Sequence, residues 1–324
     1  MINQKVTLVL GAGASYPYGF PLGNVLMKQI IDQAIEPDHH KIGDKTLPSL
    51  LEPFGFSIDY VLEFGHQLKG AMQPSVDAFL FDRPEFIDIG KLAIAVNLIR
   101  HEAMRSLQEI GSSNESDSGK TKWYDYLLNY FLGTREEFKS NNLSIITFNY
   151  DRSFEYFFYC TLKPRFNLTE KEAADYVKSI PIVHVYGQLG KPLFFNPAGR
   201  DYTTDVDENN LRKSADEISL IYEKGNDDKF TENLYNAHQI LGETKLLIFL
   251  GFGFHKTNLE RLRLQEIYSG DRIVCTTYGR KPGERARDEE LVRRYSRLPD
   301  PALLPLQMID NHARGLLENY DYIK

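Results

Sequence analysis

Four short segments carry glycines, polar side chains or both, and each follows a run of apolar residues. The first, residues 11–15, reads Gly-Ala-Gly-Ala-Ser, and the others are Thr147–Asp151, His184–Gly187 and Gly251–Phe254. A glycine turn after a strand lets backbone amides approach a phosphate, because no side chain blocks the ligand. A histidine with an ordinary pKa of about 6.5 suits general-base work near neutral pH. These residue types indicate a nucleotide-like ligand and acid–base chemistry.

Strands and helices alternate along the chain in an order that would bring these segments together. Apolar runs predict five buried strands, at residues 6–10, 143–147, 182–185, 246–250 and 272–275. Unbroken apolar runs are typical of strands covered on both faces, and helical patterns lie between them. We therefore predict βαβ units that form an α/β, Rossmann-like open parallel sheet. Ligands of such sheets bind beyond the carboxyl ends of the strands, where all four segments would lie.

A long, mainly helical stretch separates the first two predicted strands. Helical patterns occupy three parts of it, residues 58–68, 89–107 and 123–131. We interpret residues 47–138 as an inserted helical lobe that covers one side of the site, with a Gly/Ser-rich loop at 111–121. The nucleotide-binding domain would span residues 1–280, and residues 281–324 would form a C-terminal helical tail.

Composition excludes several classes of protein. The chain has 38 basic and 45 acidic residues, and this net charge of -7 disfavours direct binding to nucleic acid or to an anionic membrane. Cys160 and Cys275 are the only cysteines, so neither a disulfide framework nor a four-cysteine zinc module is expected, and we predict no metal. The apolar runs are too short to span a bilayer and the first residues lack a signal-peptide pattern, so we expect a soluble, cytoplasmic protein.

The residues after the glycine turn disfavour a dehydrogenase. A dinucleotide fingerprint needs a third glycine near Tyr16 and an acidic residue about 20 residues further on, at the end of the second strand, to hold the ribose. Gly19 comes too late, and Asp32 and Glu36 lie on or just after a predicted helix at 24–34. Hydride transfer is therefore not the chemistry that this sequence predicts.

The glycine turn resembles the sirtuin signature GAGxSxxxGIP. The matching positions are Gly11, Ala12, Gly13, Ser15, Gly19 and Pro21. Phe20 takes the place of the usual isoleucine. The resemblance covers the sheet core, from Val6 to about Cys275, but neither the helical insertion nor the C-terminal tail.

The other three segments follow in the order that sirtuins use. The residues that match the family's TQNID segment are Thr147, Asn149 and Asp151. His184 and Gly187 resemble the family's catalytic histidine segment. Gly251 begins what resembles the GTS segment, and Asn258 follows it. This last variant is more typical of sirtuin-like proteins of bacterial antiphage defence than of protein deacetylases.

Two departures from the family pattern bear on the activity. The sirtuin signature continues into an Asp-Phe-Arg segment, whereas residues 22–24 here are Leu-Gly-Asn. The zinc module that shapes the acyl-lysine cleft of deacetylases is also missing, as the cysteine count requires. These departures disfavour deacylation of a protein, but they do not affect cleavage of NAD+ at its nicotinamide bond.

The resemblance implies an NAD+ glycohydrolase that releases nicotinamide and ADP-ribose. Asn149 would hydrogen-bond a ribose hydroxyl or place the water, His184 would be the general base, and Asp151 would hold the carboxamide. Such a reaction passes through an oxocarbenium-like state, so it needs an oriented ribose and a delivered water. The remaining residues predicted to bind NAD+ are Gly11, Ala12, Gly13, Ser15, Pro21, Gly187, Gly251, Phe252, Gly253 and Asn258.

The resemblance to defence proteins further implies an effector that depletes NAD+ during phage infection. Such effectors are commonly switched on by assembly, so we expect a homo-oligomer, or a partner such as an ATPase or an Argonaute. The helical insertion and the C-terminal tail are the parts expected to make those contacts.

Other interpretations of the same residues remain open. The protein could be a non-enzymatic module that senses NAD+ or ADP-ribose, or a protein deacylase or ADP-ribosyltransferase. His184 could be a satisfied core histidine, and Asn149 and Asp151 could cap the helix that follows them. Gly251 and Gly253 could mark close packing of the backbone.

Overall fold

The centre of the protein is a parallel β-sheet. A computed structural model describes residues 1–108, 121–220, 228–296, 306–319 and 323. The strands are β1 (Val6–Leu10), β2 (Leu143–Thr147), β3 (Ile182–His184), β4 (Leu246–Leu250), β5 (Arg272–Thr276) and β6 (Leu306–Ile309). Their order in the sheet is β3-β2-β1-β4-β5-β6, and every neighbouring pair is parallel. The predicted α/β, Rossmann-like fold is confirmed.

Helices flank the sheet and fill the insertion. Those before β2 are α1 (Ala12–Ser15), α2 (Gly23–Ile35), α3 (Leu47–Leu51), α4 (Ile58–Gly70), α5 (Val76–Asp82), α6 (Ile87–Ile99), α7 (Met104–Gln108), α8 (Tyr124–Tyr130) and α9 (Arg135–Phe138). Those after β2 are α10 (Ser153–Phe166), α11 (Glu170–Lys178), α12 (Glu208–Ala215), α13 (Asp228–Glu243), α14 (Lys256–Leu262), α15 (Leu264–Ile267), α16 (Pro282–Ser296) and α17 (Ala313–Glu318). Within the described ranges, no helix combines the length and the apolar character needed to cross a bilayer.

The structure differs from the sequence prediction in three places. The helix predicted at 89–107 is two helices, α6 and α7, because the chain turns between them and carries Glu102 into a buried ion pair. The apolar pattern predicts one helix over residues 257–268, but the structure has two, α14 and α15, which are separated at Arg263, where φ is 48°. The tail predicted as helical contains a strand, β6, which pairs with β5. The Gly/Ser-rich loop predicted at 111–121 lies outside the described residues, except for Thr121.

The insertion packs against the helices that surround the sheet. Helix α2 contacts α4 and α6, and α6 also contacts α12. Gln33 of α2 and Asn97 of α6 are both buried and exchange two side-chain hydrogen bonds of 2.9 Å. Each buried amide side chain needs a hydrogen-bond partner, because an unpaired amide in the core would lower the stability of the fold. The pair therefore fixes how the insertion sits on α2.

Candidate active site

The carboxyl ends of four adjacent strands lie level with one another. Leu10 of β1 is in register with Thr147 of β2 and with Leu250 of β4, and Thr147 is in register with His184 of β3. The strand order also reverses between β1 and β4, which is where ligands bind in open parallel sheets. The sheet thus brings the four predicted segments to the same end of its strands, and the segments after β1 and β4 flank its topological switch point.

The loops after β1 and β4 contact each other through their backbones. The Gly11 amide donates to the carbonyl of Leu250 at 3.1 Å, and the Gly13 amide donates to that of Gly251 at 3.0 Å. A Cβ on Gly251, which has a φ of +57°, would lie 2.2 Å from the nitrogen of Ala14. These glycines therefore have a packing role, and two amides that could have faced a phosphate instead join the two loops.

A short helix and a turn follow the glycines before α2 begins. Helix α1 has four residues, residues 16–18 form a single 3-10 turn, and Gly19 has a φ of 94°. The long helix starts only at Gly23. Ala12, Gly13 and Pro21 are half-buried, so this segment borders solvent along its length.

Asn149 joins the glycine turn to the loop after β2. Its side-chain nitrogen donates to the carbonyl of Gly11 at 2.9 Å and to the hydroxyl of Ser15 at 3.0 Å. Its backbone amide donates to the hydroxyl of Thr147 at 3.1 Å. The side chain of Asn149 is thus directed at the glycine turn and not at the following helix.

Asp151 is buried and accepts hydrogen bonds from both sides. Its carboxylate accepts from the backbone amide of Ser153 at 3.1 Å and from the Ser153 hydroxyl, and it also bonds the hydroxyl of Ser15. Burial raises the pKa of Asp151, and the serine hydrogen bonds and the nearby His184 reduce that rise. The N-cap of α10 is Arg152, without a side-chain cap hydrogen bond, so Asp151 does not cap the helix but forms a local turn with Ser153 and contacts the glycine turn.

His184 is buried at the end of β3, and both of its ring nitrogens have protein partners. Nδ1 lies 3.0 Å from the backbone oxygen of Asn149, and Nε2 lies 2.7 Å from Oε1 of Glu155. Burial lowers the pKa of His184, but the Glu155 carboxylate, the Asn149 carbonyl and the charge of Asp151 together outweigh it, so the pKa is raised above 6.5. Both ring nitrogens thus have hydrogen-bond partners, as those of a core histidine would. The partners, Asn149 and Glu155, lie at the carboxyl ends of the strands.

The remaining predicted residues lie around this centre and have packing contacts. Gly187 has a φ of +71°, and a Cβ there would lie 1.9 Å from the carbonyl oxygen of Glu217. Phe252 is buried, with its ring centroid 5.2 Å from that of Phe148. Asn258 accepts a hydrogen bond from the hydroxyl of Tyr186. The structure therefore gives these three residues roles in shaping the loops.

Gly253 lies at the open side of the loop after β4. It is exposed, and a Cβ on it would lie 3.1 Å from the ring of His255. The guanidinium of Arg280, in the loop after β5, donates to the Gly253 carbonyl at 3.4 Å. The loops after β4 and β5 therefore meet at this residue.

The insertion contributes residues that the sequence did not assign to the site. The indole nitrogen of Trp123 donates to the carbonyl of Ala14 at 2.9 Å, and the hydroxyl of Tyr124 lies 2.7 Å from that of Ser153. The Tyr150 hydroxyl donates to the carboxylate of Asp77 in α5. Within the insertion, α5 and the start of α8 are thus the parts that contact the loops at the strand ends.

Glu155 is the residue of most chemical interest that sequence reasoning missed. It lies in the first turn of α10, is buried, and faces the imidazole of His184. A single acid within the aromatic run of residues 154–159 was visible in the sequence. Its partner was not, because His184 is 29 residues away along the chain.

A buried ion-pair network lies behind the pair formed by Glu155 and His184. Glu102 from the insertion accepts from Arg152 at 2.7 Å and also pairs with Arg200. All three side chains are buried, and Arg152 donates further to the carbonyl of Gly190 at 3.1 Å. These bonds tie the insertion, the residue after Asp151 and the loop after β3 into one unit.

Across the residues that the structure describes, no group of three or more His, Cys, Asp or Glu side chains is placed to hold a metal ion. No protein-family model matches the chain, and no curated protein matches it in sequence.

Proposed function

We propose that the protein is an NAD+ glycohydrolase, which cleaves NAD+ to nicotinamide and ADP-ribose. One observation carries the proposal: Asn149 contacts both the glycine turn and His184. Its side-chain nitrogen bonds Gly11 and Ser15, and its backbone oxygen lies against the imidazole. A nucleotide held over the glycine turn would therefore lie beside the two residues that the reaction needs.

The same contacts suggest how the residues would act. Because the nitrogen of the Asn149 side chain is held at the glycine turn, its oxygen has a fixed direction in which to accept from a ribose hydroxyl or a water. Asp151, bonded to Ser15, would stabilise positive charge on the nicotinamide side or hold the carboxamide. In its neutral form, His184 would remove a proton from the attacking water.

The biological role proposed is depletion of NAD+ as an antiphage effector. It rests on the resemblance to sirtuin-like defence proteins, which the GFGF loop and Asn258 carry. Activation by self-assembly, or by a partner such as an ATPase or an Argonaute, belongs to the same proposal.

A second candidate function is favoured by the state of His184. Both of its ring nitrogens are engaged by the protein, which suits a residue that holds the site together. A module that binds NAD+ or ADP-ribose without cleaving it would keep the same loops. Turnover decides between the two candidates.

The test is nicotinamide release from NAD+ by the full chain, beside His184→Ala and Asn149→Ala. A matched control is His40→Ala, which removes an exposed histidine far from the strand ends in sequence. We expect turnover by the wild type and the control, and a loss of at least about 100-fold in each site variant. Tight NAD+ binding by a wild type that releases no nicotinamide, alone or with phage lysate, would support the sensor instead.

A further inference from the structure

His184 contacts a backbone carbonyl, which can only accept a hydrogen bond, and a carboxyl group, which can only accept when it is ionised. The backbone oxygen of Asn149 lies 3.0 Å from Nδ1, and a carboxylate oxygen of Glu155 lies 2.7 Å from Nε2. A carbonyl oxygen and an ionised carboxylate have no proton to give. Both contacts are therefore hydrogen bonds only when both ring nitrogens carry a proton, which is the imidazolium form of the ring.

A neutral ring must give up one of these two hydrogen bonds. The bond to Glu155 joins opposite charges and is the stronger of the two, whereas the bond to Asn149 has an uncharged acceptor. The proton that leaves is therefore the one on Nδ1. Its loss places a lone pair on Nδ1 against the Asn149 oxygen, so the ring and this carbonyl must separate.

Other charges face the pair from the elements packed around it. Asp151 acts on the imidazole from the loop after β2, and Arg152 and Tyr202 interact electrostatically with Glu155. Arg152 is itself paired with Glu102 from the insertion. Arg152 is thus neutralised mainly by Glu102, which leaves Glu155 as the direct partner of His184.

We propose that Glu155 is the positioning residue of His184: it retains the proton on Nε2 and leaves Nδ1 as the atom that exchanges a proton at the site. Its part in a reaction rests on the proposed NAD+ hydrolysis. There, Nδ1 first releases its proton to solvent, and the imidazole separates from the Asn149 carbonyl. Nδ1 then takes a proton from water as the water oxygen bonds the ribose carbon. The C–N bond breaks, and its electron pair leaves with nicotinamide.

The test reads the ring directly and needs no turnover. Imidazole signals of histidine-labelled full chain are followed by NMR against pH, with His184 assigned from the spectrum of His184→Gln. We expect Nδ1 to be the nitrogen that loses its proton in the wild type. We also expect Glu155→Gln to weaken proton binding by His184 by at least about 10-fold, because the opposite charge is lost.

Two further variants keep the test decisive. Glu170→Gln removes an exposed carboxylate that pairs with Lys163 near the other end of α10, and it should leave the His184 titration unchanged. Glu155→Asp keeps the charge and should restore part of the proton affinity, even where the amide variant folds poorly. An unchanged His184 titration in Glu155→Gln, or deprotonation at Nε2 in the wild type, would overturn the proposal, whether or not the protein cleaves NAD+.

The pH profile of the activity adds a second measurement. It would not shift if Glu155 had only a structural role. If NAD+ is hydrolysed, the acidic limb of the rate profile follows the neutral fraction of His184. Glu155→Gln should then shift that limb to lower pH by the same factor as the NMR titration. A limb that stays in place while the NMR titration moves would overturn the catalytic part of the proposal.

Discussion

Replacing Gly251 by alanine should destabilise the protein more than the same change at another glycine whose backbone is in the left-handed conformation. Gly251 has a φ of +57°, and a Cβ there would lie 2.2 Å from the Ala14 nitrogen and 2.3 Å from the carbonyl carbon of Gly13. Both atoms belong to the backbone of α1, so neither can rotate away. The added methyl group must push the two loops apart.

Gly279 provides the control for the backbone conformation alone. Its φ is +74°, and a Cβ on it would have no heavy atom within 4 Å. A left-handed conformation costs an alanine about 1–2 kcal/mol, and overpacking adds about 1–3 kcal/mol. We therefore expect a loss of about 1–2 kcal/mol in the free energy of unfolding for Gly279→Ala and about 2–5 kcal/mol for Gly251→Ala.

Urea unfolding measures both losses. Trp123 is the only tryptophan and is fully buried against Ala14, so its fluorescence reports on the affected region. If Gly251→Ala lowers the unfolding midpoint no more than Gly279→Ala does, the loops after β1 and β4 are not packed as described. A larger loss at Gly251 would support their direct backbone contact.

Three more predictions concern buried groups. Glu102→Gln leaves two buried arginines without their counter-charge and should cost about 3–5 kcal/mol in urea unfolding. The control Glu243→Gln, at an exposed ion pair, should cost at most about 1 kcal/mol. Burial, and then the charge of Arg100, lower the pKa of His101 to about 4. The stability that depends on a neutral His101 is therefore lost as the pH falls from 6.5 towards 4, and His101→Gln should lose less stability over this pH range. NAD+ bound at the glycine turn should change Trp123 fluorescence, and a titration without any change would contradict binding there.

The central strands could be predicted because burial alone determines their pattern. Every residue of β1 and β4 is buried, and this produces unbroken apolar runs that need no knowledge of neighbours. Strand β6 was missed because all four of its residues are only half-buried, as suits the edge of a sheet. Its pairing with β5 is a tertiary contact, which a local sequence pattern does not predict.

The candidate site could be predicted only in part, for a similar reason. Loops that follow buried parallel strands must meet at one edge, so the convergence of Asn149, Asp151 and His184 followed from the strand order. The partners of these side chains did not follow. The bond from Asn149 to Gly11 spans 138 residues, and the pairing of Glu155 with His184 depends on how α10 packs beside β3.

Acidic and basic side chains gather in the core around the end of β3. Three buried acids and three buried bases surround the end of β3, namely Asp151, Glu155, Glu102, Arg152, Arg200 and His184. With the acids ionised, their charges balance only when His184 is protonated, which agrees with its raised pKa. Apolar residues of similar volume would serve stability as well or better. A buried group that exchanges a proton at the strand ends is what the proposed acid–base chemistry would require, and buried groups with shifted pKa values gather at functional sites more often than elsewhere.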